Sequence, residues 1–180
     1  MRIDSSGRVA GVRFIASPNF DARPPEARIE LLVVHGIGLP PRRFGGDAVP
    51  RLFTNTLDCT EDPYYAGLVG LRVSSHFLIR RSGEIIQFVP CAARAWHAGV
   101  SNWHGRDRCN DFSIGVELEG ADTLPYLEAQ YRQLRRLAGL LADHYPITDI
   151  IGHADIAPGR KTDPGPAFDW AHFRAGMTAR

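Results

Sequence analysis

No stretch of this 180-residue chain approaches the ~20 consecutive apolar residues that a bilayer-spanning helix requires. Residues Met1 to Val12 carry charges and glycines where a secretory signal needs a continuous apolar segment, so a cytoplasmic location is expected. An excess of either charge is also missing, since 21 Lys and Arg against 20 Asp and Glu give a net charge of +1, mixed along the chain. That balance leaves no electrostatic footprint for nucleic acid and no polybasic face for anionic lipid. Neither nucleic acid nor membrane is therefore expected as a partner. Cysteine is sparse, and Cys59, Cys91 and Cys109 lack any Cys-x-x-Cys spacing. This argues against a disulfide framework and a thiolate metal site, and for reduced, structural thiols. There is no internal repeat, and low complexity is confined to Pro40-Pro41 and the 158–166 stretch.

What is present is an apolar content of 44%, enough for one compact domain over residues 1–180 with a full core. Short apolar runs alternate with glycine- and proline-rich connections, a mixed α/β pattern. Strands are expected at Leu31 to His35, Ser75 to Arg80, Glu84 to Val89, Phe112 to Glu119 and Asp149 to His153. Arg81-Ser82-Gly83 would turn the second into the third as a hairpin. A helix is expected from about Leu124 to His144, where Leu127, Tyr131, Leu134, Ala138 and Leu141 recur at spacings of three and four. Asp122 or Thr123 would cap it, Pro125 suits its first turn and Pro146 ends it. Arg132, Arg135 and Arg136 fall off the apolar stripe and read as a solvated face. Residues 36–71 combine weak periodicity with Pro40, Pro41, Pro50 and Pro63, so they read as a long excursion with a short helix near Ala48 to Asn55. Segments of that length in compact domains usually form lids or binding walls.

Chemistry concentrates in the run from Gly152 and His153 to Asp163, Pro164 and Gly165, where a histidine, a lysine and aspartates sit among turn formers. His35 follows the buried run Leu31 to Val34 and would be delivered to a sheet edge, where His153 at the end of its own strand can meet it. Two imidazoles with one carboxylate, from Asp155 or Asp163, make a hydrolytic zinc set that leaves about one of four positions to water. Glu117 lies inside the apolar strand Phe112 to Leu118, where an unpaired carboxylate is costly and so points to a role. Period-two alternation puts Glu119 on the same face as a rival. Trp96, in a loop with His97, Trp103 and His104, offers an indole suited to the apolar face of a sugar, with core packing as the alternative. His76 reads as a hydrogen-bonded core histidine, and no role is assigned to His97, His104, His144 or His172.

The runs Val33-Val34-His35, Ser74 to Ile79, Arg94 to Gly99, Arg108 to Gly120 and Gly152 to Gly165 resemble, in the same order, those of the zinc N-acetylmuramoyl-L-alanine amidases. The likeness is nearest to the cytoplasmic AmpD-type branch and runs from about Ser17 to Phe173. It implies a single α/β domain whose mixed central β-sheet is flanked by helices, a fold shared with peptidoglycan recognition proteins. It implies hydrolysis of the amide joining the lactyl group of 1,6-anhydro-N-acetylmuramic acid to L-alanine of the stem peptide, in cell-wall recycling. Anhydromuropeptides are then the expected partners. By the family motif Asp163 joins His35 and His153 on Zn²⁺, and Asp155 is left to the turn. The family's Ile-Gly-x-Glu pattern falls on Ile114 to Glu117, which makes Glu117 the general base, and Lys161 matches a cation that supports the tetrahedral intermediate. Arg72 and Arg108, by family position, would hold substrate carboxylates or carbonyls bidentately, with structural ion pairs as the alternative. Where the branch commonly has Asn after the first zinc histidine this chain has Gly36, so a side-chain contact is missing there. A peptidoglycan-binding module without catalysis, or an amidase of broader specificity, would share the fold. The complete ligand set argues against the first and the lack of a secretory signal against the second.

Overall fold

The computed structural model describes residues 1–177. Its strands in chain order are β1 (Arg13–Phe14), β2 (Phe20–Asp21), β3 (Leu31–Ile37), β4 (Phe77–Ile79), β5 (Ile85–Gln87), β6 (Arg94–Ala95), β7 (Asn102–Trp103), β8 (Arg106–Asp107), β9 (Ser113–Glu119) and β10 (Asp149–Gly152). The α-helices are α1 (Ala48–Phe53), α2 (Glu128–His144), α3 (His153–Ile156) and α4 (Trp170–Ala175), with a 3₁₀ turn at Pro63–Leu68. One six-stranded sheet has the order β1-β5-β4-β9-β3-β10. It is mixed: β4, β9, β3 and β10 run parallel, and β5 returns antiparallel to β4. The hairpin between them turns at Gly83, whose φ of +88° is open to glycine and costly for other residues.

β3 and β9 pair in register over seven residues, from Leu31 opposite Ser113 to Ile37 opposite Glu119. Strand pleating sends alternate residues to opposite faces, and the two faces of β9 differ in character. Ile114, Val116 and Leu118 join Leu32 and Val34 in a cluster with Leu134, Leu137, Ala138 and Leu141 of α2 and Phe173 of α4. Each large side chain fully buried there contributes about 1.5–3 kcal/mol. Ser113, Gly115, Glu117 and Glu119 form the second, polar face, and it too is buried. The excursion after β3 closes over part of the sheet, with Val49, Leu52, Phe53 and Tyr65 packed against Leu78, Ile86 and Phe88. Cys59, Cys91 and Cys109 are free thiols, the last two buried.

The expected strands and the main helix are present with shifted ends. α2 starts at Glu128, later than Leu124, because Ala121 and Leu124 form an isolated bridge and the Leu127 N–H is taken by Oε1 of Gln130 at 3.1 Å. Pro125 therefore precedes the helix, and the N-cap position is Leu127, not Asp122 or Thr123. His153 opens α3 instead of ending β10, and α1 stops at Phe53. The two-residue strands β1, β2, β6, β7 and β8 carry too little periodicity to be read from sequence. Ile3 and Val9, ahead of Ser17, are buried in the main cluster.

Gln130 holds helix and sheet together at one point. It is fully buried, and its Nε2 donates to the carbonyls of Ile79 (3.3 Å) and Glu119 (3.0 Å) at the ends of β4 and β9. Gln130→Met keeps the length of the side chain and leaves those acceptors unpaired, so the unfolding free energy from urea titration is expected to fall by about 2–4 kcal/mol. Arg132→Met on the exposed face is expected to change it by no more than about 0.5 kcal/mol. Equal effects would contradict a bridging role for Gln130.

Candidate metal centre

Parallel pairing sets His35 directly opposite Glu117, near the ends of two central strands. The adjacent strand β10 ends at Gly152, and α3 starts with His153 beside them. The loop after α3 returns Asp163, whose carbonyl accepts the Ala154 N–H at 3.0 Å. Three donor atoms thereby converge. His35 Nδ1 lies 2.9 Å from His153 Nδ1, and Asp163 Oδ2 lies 3.2 Å from the first and 3.1 Å from the second. His35, His153 and Asp163 form a group able to hold a metal ion.

The outward contacts of both imidazoles favour that use. His153 Nε2 faces the Ala98 carbonyl at 3.1 Å, which can only accept, so Nε2 carries the proton and Nδ1 presents a lone pair. His35 Nε2 meets His97 Nδ1 at 2.9 Å, and His97 Nε2 meets Ser113 Oγ at 3.2 Å. Donation from His35 to His97 and from His97 to Ser113 leaves the His35 Nδ1 lone pair facing inward. Two lone pairs and a carboxylate oxygen at these separations repel one another, and a shared cation relieves that repulsion. The donor set, two nitrogens and one oxygen with no thiolate, fits zinc in an open site.

His97 occupies a gap made by glycine, since a Cβ on Gly115 would stand 2.5 Å from its ring. Its backbone N–H and that of Ala98 both donate to Oδ1 of Asn110. His76, beneath it, accepts the Gly115 N–H at Nδ1 (3.0 Å) and so donates from Nε2 to the Ala93 carbonyl (3.1 Å). Arg23 ties the same region together by donating to the carbonyls of Cys91, Asn110, Asp111 and Ser113. Burial lowers all three imidazoles: His35 to about 4, His76 to about 3 and His97 well below the ordinary range. They are neutral at pH 7, and neutral imidazole is the form that ligates metal.

Glu117 is 9% exposed, and its Oε2 has no hydrogen-bond partner. Burial first, and then the Asp163 charge, raise its pKa well above the ordinary value, while Lys161 opposes them. Asp163 is held well below the usual carboxylate range only where the imidazoles turn N–H groups toward it; with their lone pairs facing inward, burial disfavours its charge and a cation has to stabilise the carboxylate. A cation among the donors would draw Glu117 back toward its ionised form. The rivals have other partners. Glu119 accepts from the Gly45 and Arg81 backbone N–H groups and from Arg80. Asp155 accepts the Gly152 N–H at 2.7 Å.

A cleft of about 310 Å³ brings His35, Glu117, His153, Lys161, Asp163 and Trp96 to one surface. Its apolar wall includes Leu52, Phe53, Leu68 and Leu71 from the excursion after β3, and Tyr64 from the same segment also lines it. Trp96 is half-buried, and its backbone is fixed by Ser74, whose Oγ accepts its N–H at 3.0 Å. Arg72 and Arg108 do not line this cleft. Arg72 is exposed between Leu71 and Val73, which do line it; Arg108 is 71% exposed and its Nε lies 3.2 Å from Asp111. His97 and Tyr64 were not singled out in the sequence. Only the spacing of His97 from Trp96 and Gly115 could have signalled the former, and that spacing has no meaning until the strands are paired.

Residues 25–166 match the N-acetylmuramoyl-L-alanine amidase family. The chain is 56% identical over 174 residues to the 1,6-anhydro-N-acetylmuramyl-L-alanine amidase AmpD of Citrobacter freundii, covering 96% of this chain and 93% of that protein. A crystal structure of a selenomethionine AmpD derivative superposes with a TM-score of 0.96 at 56% identity, covering 99% of this chain and 100% of that one. The amidase AmiD of Escherichia coli, solved with the substrate anhydro-N-acetylmuramic acid-L-Ala-D-γ-Glu-L-Lys, superposes with a TM-score of 0.61 at 34% identity, covering 86% of this chain and 58% of that one.

The buried imidazoles make metal-free stability depend on pH with a definite sign. Each has a folded pKa depressed below the unfolded value of about 6.5, so the unfolded chain takes up protons first as pH falls. Their contribution is whole above about pH 6.5 and is lost toward pH 4; Glu117, shifted upward, partly offsets it. With about two extra protons on the unfolded chain, stability is expected to fall by roughly 3 kcal/mol per pH unit near pH 5. The urea midpoint of chelator-treated protein between pH 7 and pH 4.5 measures this, and a flat profile would contradict it.

Proposed function

The chain belongs to the N-acetylmuramoyl-L-alanine amidase family, and on that basis we propose that it is a zinc-dependent amidase of cytoplasmic peptidoglycan recycling. Its substrates would be anhydromuropeptides, cut between the lactyl carbonyl of 1,6-anhydro-N-acetylmuramic acid and L-alanine. The observation that carries this reading is the convergence of His35, His153 and Asp163 beside a buried, half-unpartnered Glu117. Similarity over nearly the whole length to amidases named for the anhydro sugar supports the substrate. No helix of the described residues is long and apolar enough to cross a membrane.

His35, His153 and Asp163 would hold the zinc. Bound there, zinc supplies Lewis acidity, polarising a carbonyl and bringing the pKa of a water to about 7. Glu117, ionised once the metal is present, takes the proton of the attacking water and carries it on to the departing alanine nitrogen. The amine must be protonated to leave, so one carboxyl serves as base and then as acid. The Lys161 ammonium, on the same cleft wall, faces the negative charge that develops on the carbonyl oxygen, where low hydration strengthens the interaction. Trp96 and the apolar wall receive the anhydro sugar and keep water from the reacting amide. Arg72 and Arg108, exposed outside the cleft, would reach carboxylates of the stem peptide as it leaves the pocket.

Mass spectrometry of purified protein with anhydromuramyl-tripeptide and with the reducing-end muramyl-tripeptide tests this reading. Tripeptide is expected mainly from the anhydro substrate, to stop with chelator and to return with zinc. Glu117→Gln is expected to keep zinc and lose about 10²–10⁴-fold in turnover. Equal release from both sugars would make this an amidase of broader specificity, and no release by folded, zinc-loaded protein would make it a binding module.

A further inference from the structure

Three glycines mark the neighbouring ends of β3, β9 and β10: Gly36 after His35, Gly120 after Glu119 and Gly152 before His153. Each leaves room that a neighbour fills. A Cβ on Gly36 would stand 2.3 Å from Tyr126 Oη and 3.4 Å from Pro164 Cα. On Gly120 it would stand 2.2 Å from Tyr126 Cε1, and on Gly152 2.9 Å from Pro164 Cδ. The Tyr126 ring thus lies across Gly36 and Gly120, and its hydroxyl donates to the Pro164 carbonyl at 3.0 Å. Burial leaves the phenol protonated, so this donor persists through the neutral range. The Asp163 carbonyl is held from the other side by the Ala154 N–H.

We propose that Tyr126 is the positioning residue for Asp163, its ring filling the gap over Gly36 and Gly120 while its hydroxyl pins Pro164 and so aims the preceding carboxylate at His35 and His153. The space where another residue at position 36 would put its side chain is taken by the phenol, so the contact missing at Gly36 is supplied from the segment before α2. The link to zinc affinity rests on the metal reading above; the pinning of the loop does not.

Zinc affinity by chelator competition, the visible spectrum of the cobalt(II)-loaded protein and amide exchange at Ala154 in the metal-free protein test the proposal. Tyr126→Phe retains the ring and loses the pin. It is expected to weaken zinc binding ten- to a hundredfold, to alter the cobalt spectrum and to speed Ala154 exchange at least tenfold, the affinity loss being about that of removing an outer-shell contact. Gly36→Ala is expected to weaken zinc binding in the native background, because its Cβ displaces Oη. In the Tyr126→Phe background the nearest remaining ring atom is Cζ at 3.6 Å, an ordinary contact, so the same substitution should change affinity less than about twofold. Native affinity with native exchange in Tyr126→Phe, or an equal cost of Gly36→Ala in both backgrounds, would overturn the proposal. If native protein bound no zinc the metal reading would fall, and Ala154 exchange alone would still decide whether Tyr126 holds the loop.

Discussion

The parallel pairing of β3 with β9 is the constraint on which the rest of the molecule depends. It spans seven residues and fixes His35 opposite Glu117. Because side chains alternate, a slip of one residue in β9 would turn Ile114, Val116 and Leu118 away from α2 and drive Ser113, Glu117 and Glu119 into the apolar cluster. The large apolar burial against α2 therefore specifies the register, and the register specifies the site. Folding energy from one face of the sheet positions the chemistry on the other.

A buried polar face is tolerated only when its groups find partners. Here Ser113, His97, His76, Asn110 and Arg23 make hydrogen bonds to one another and to nearby backbone groups in a network leading outward from His35, with Arg23 Nε left unpaired. At the inner end the pairing stops. His35, His153 and Asp163 turn acceptor atoms toward a common point, and Glu117 Oε2 is left unpaired beside them. Ligating imidazoles held by outward hydrogen bonds, with acceptor atoms gathered at the centre, are the pattern expected of a preorganised ligand set. The neutrality that burial forces on His35 acts in the same direction, since a protonated ring could not ligate.

Much of this was legible in the sequence. β3, β9, β10 and α2 carry enough periodicity to be found, and the resemblance singled out Glu117 and Asp163 from Glu119 and Asp155. The structure gives both rivals other partners, Arg80 for Glu119 and the Gly152 N–H for Asp155. His97 and Tyr126 were not legible, because their contacts depend on absent atoms. Gly115 makes room for one ring, and Gly36 and Gly120 for the other, and a glycine in a sequence does not say which side chain fills its place. Tyr126 read as part of a helix that begins only at Glu128, which hid its role at the strand ends. Gly36, in sequence a lost contact, is in structure an occupied one.

A neutral His35, the Asp163 carboxylate and a buried, half-unpartnered Glu117 together describe a site suited to hydrolysis once a cation is present. The most direct test is anomalous diffraction at the zinc edge from crystals of the purified protein. One strong peak within about 2.0–2.2 Å of His35 Nδ1, His153 Nδ1 and Asp163 Oδ2 is expected, with Glu117 near it but not bound. A peak bound through Nε2 of either histidine, or its absence from zinc-soaked crystals, would contradict the central claim that the register of β3 and β9 assembles a metal site.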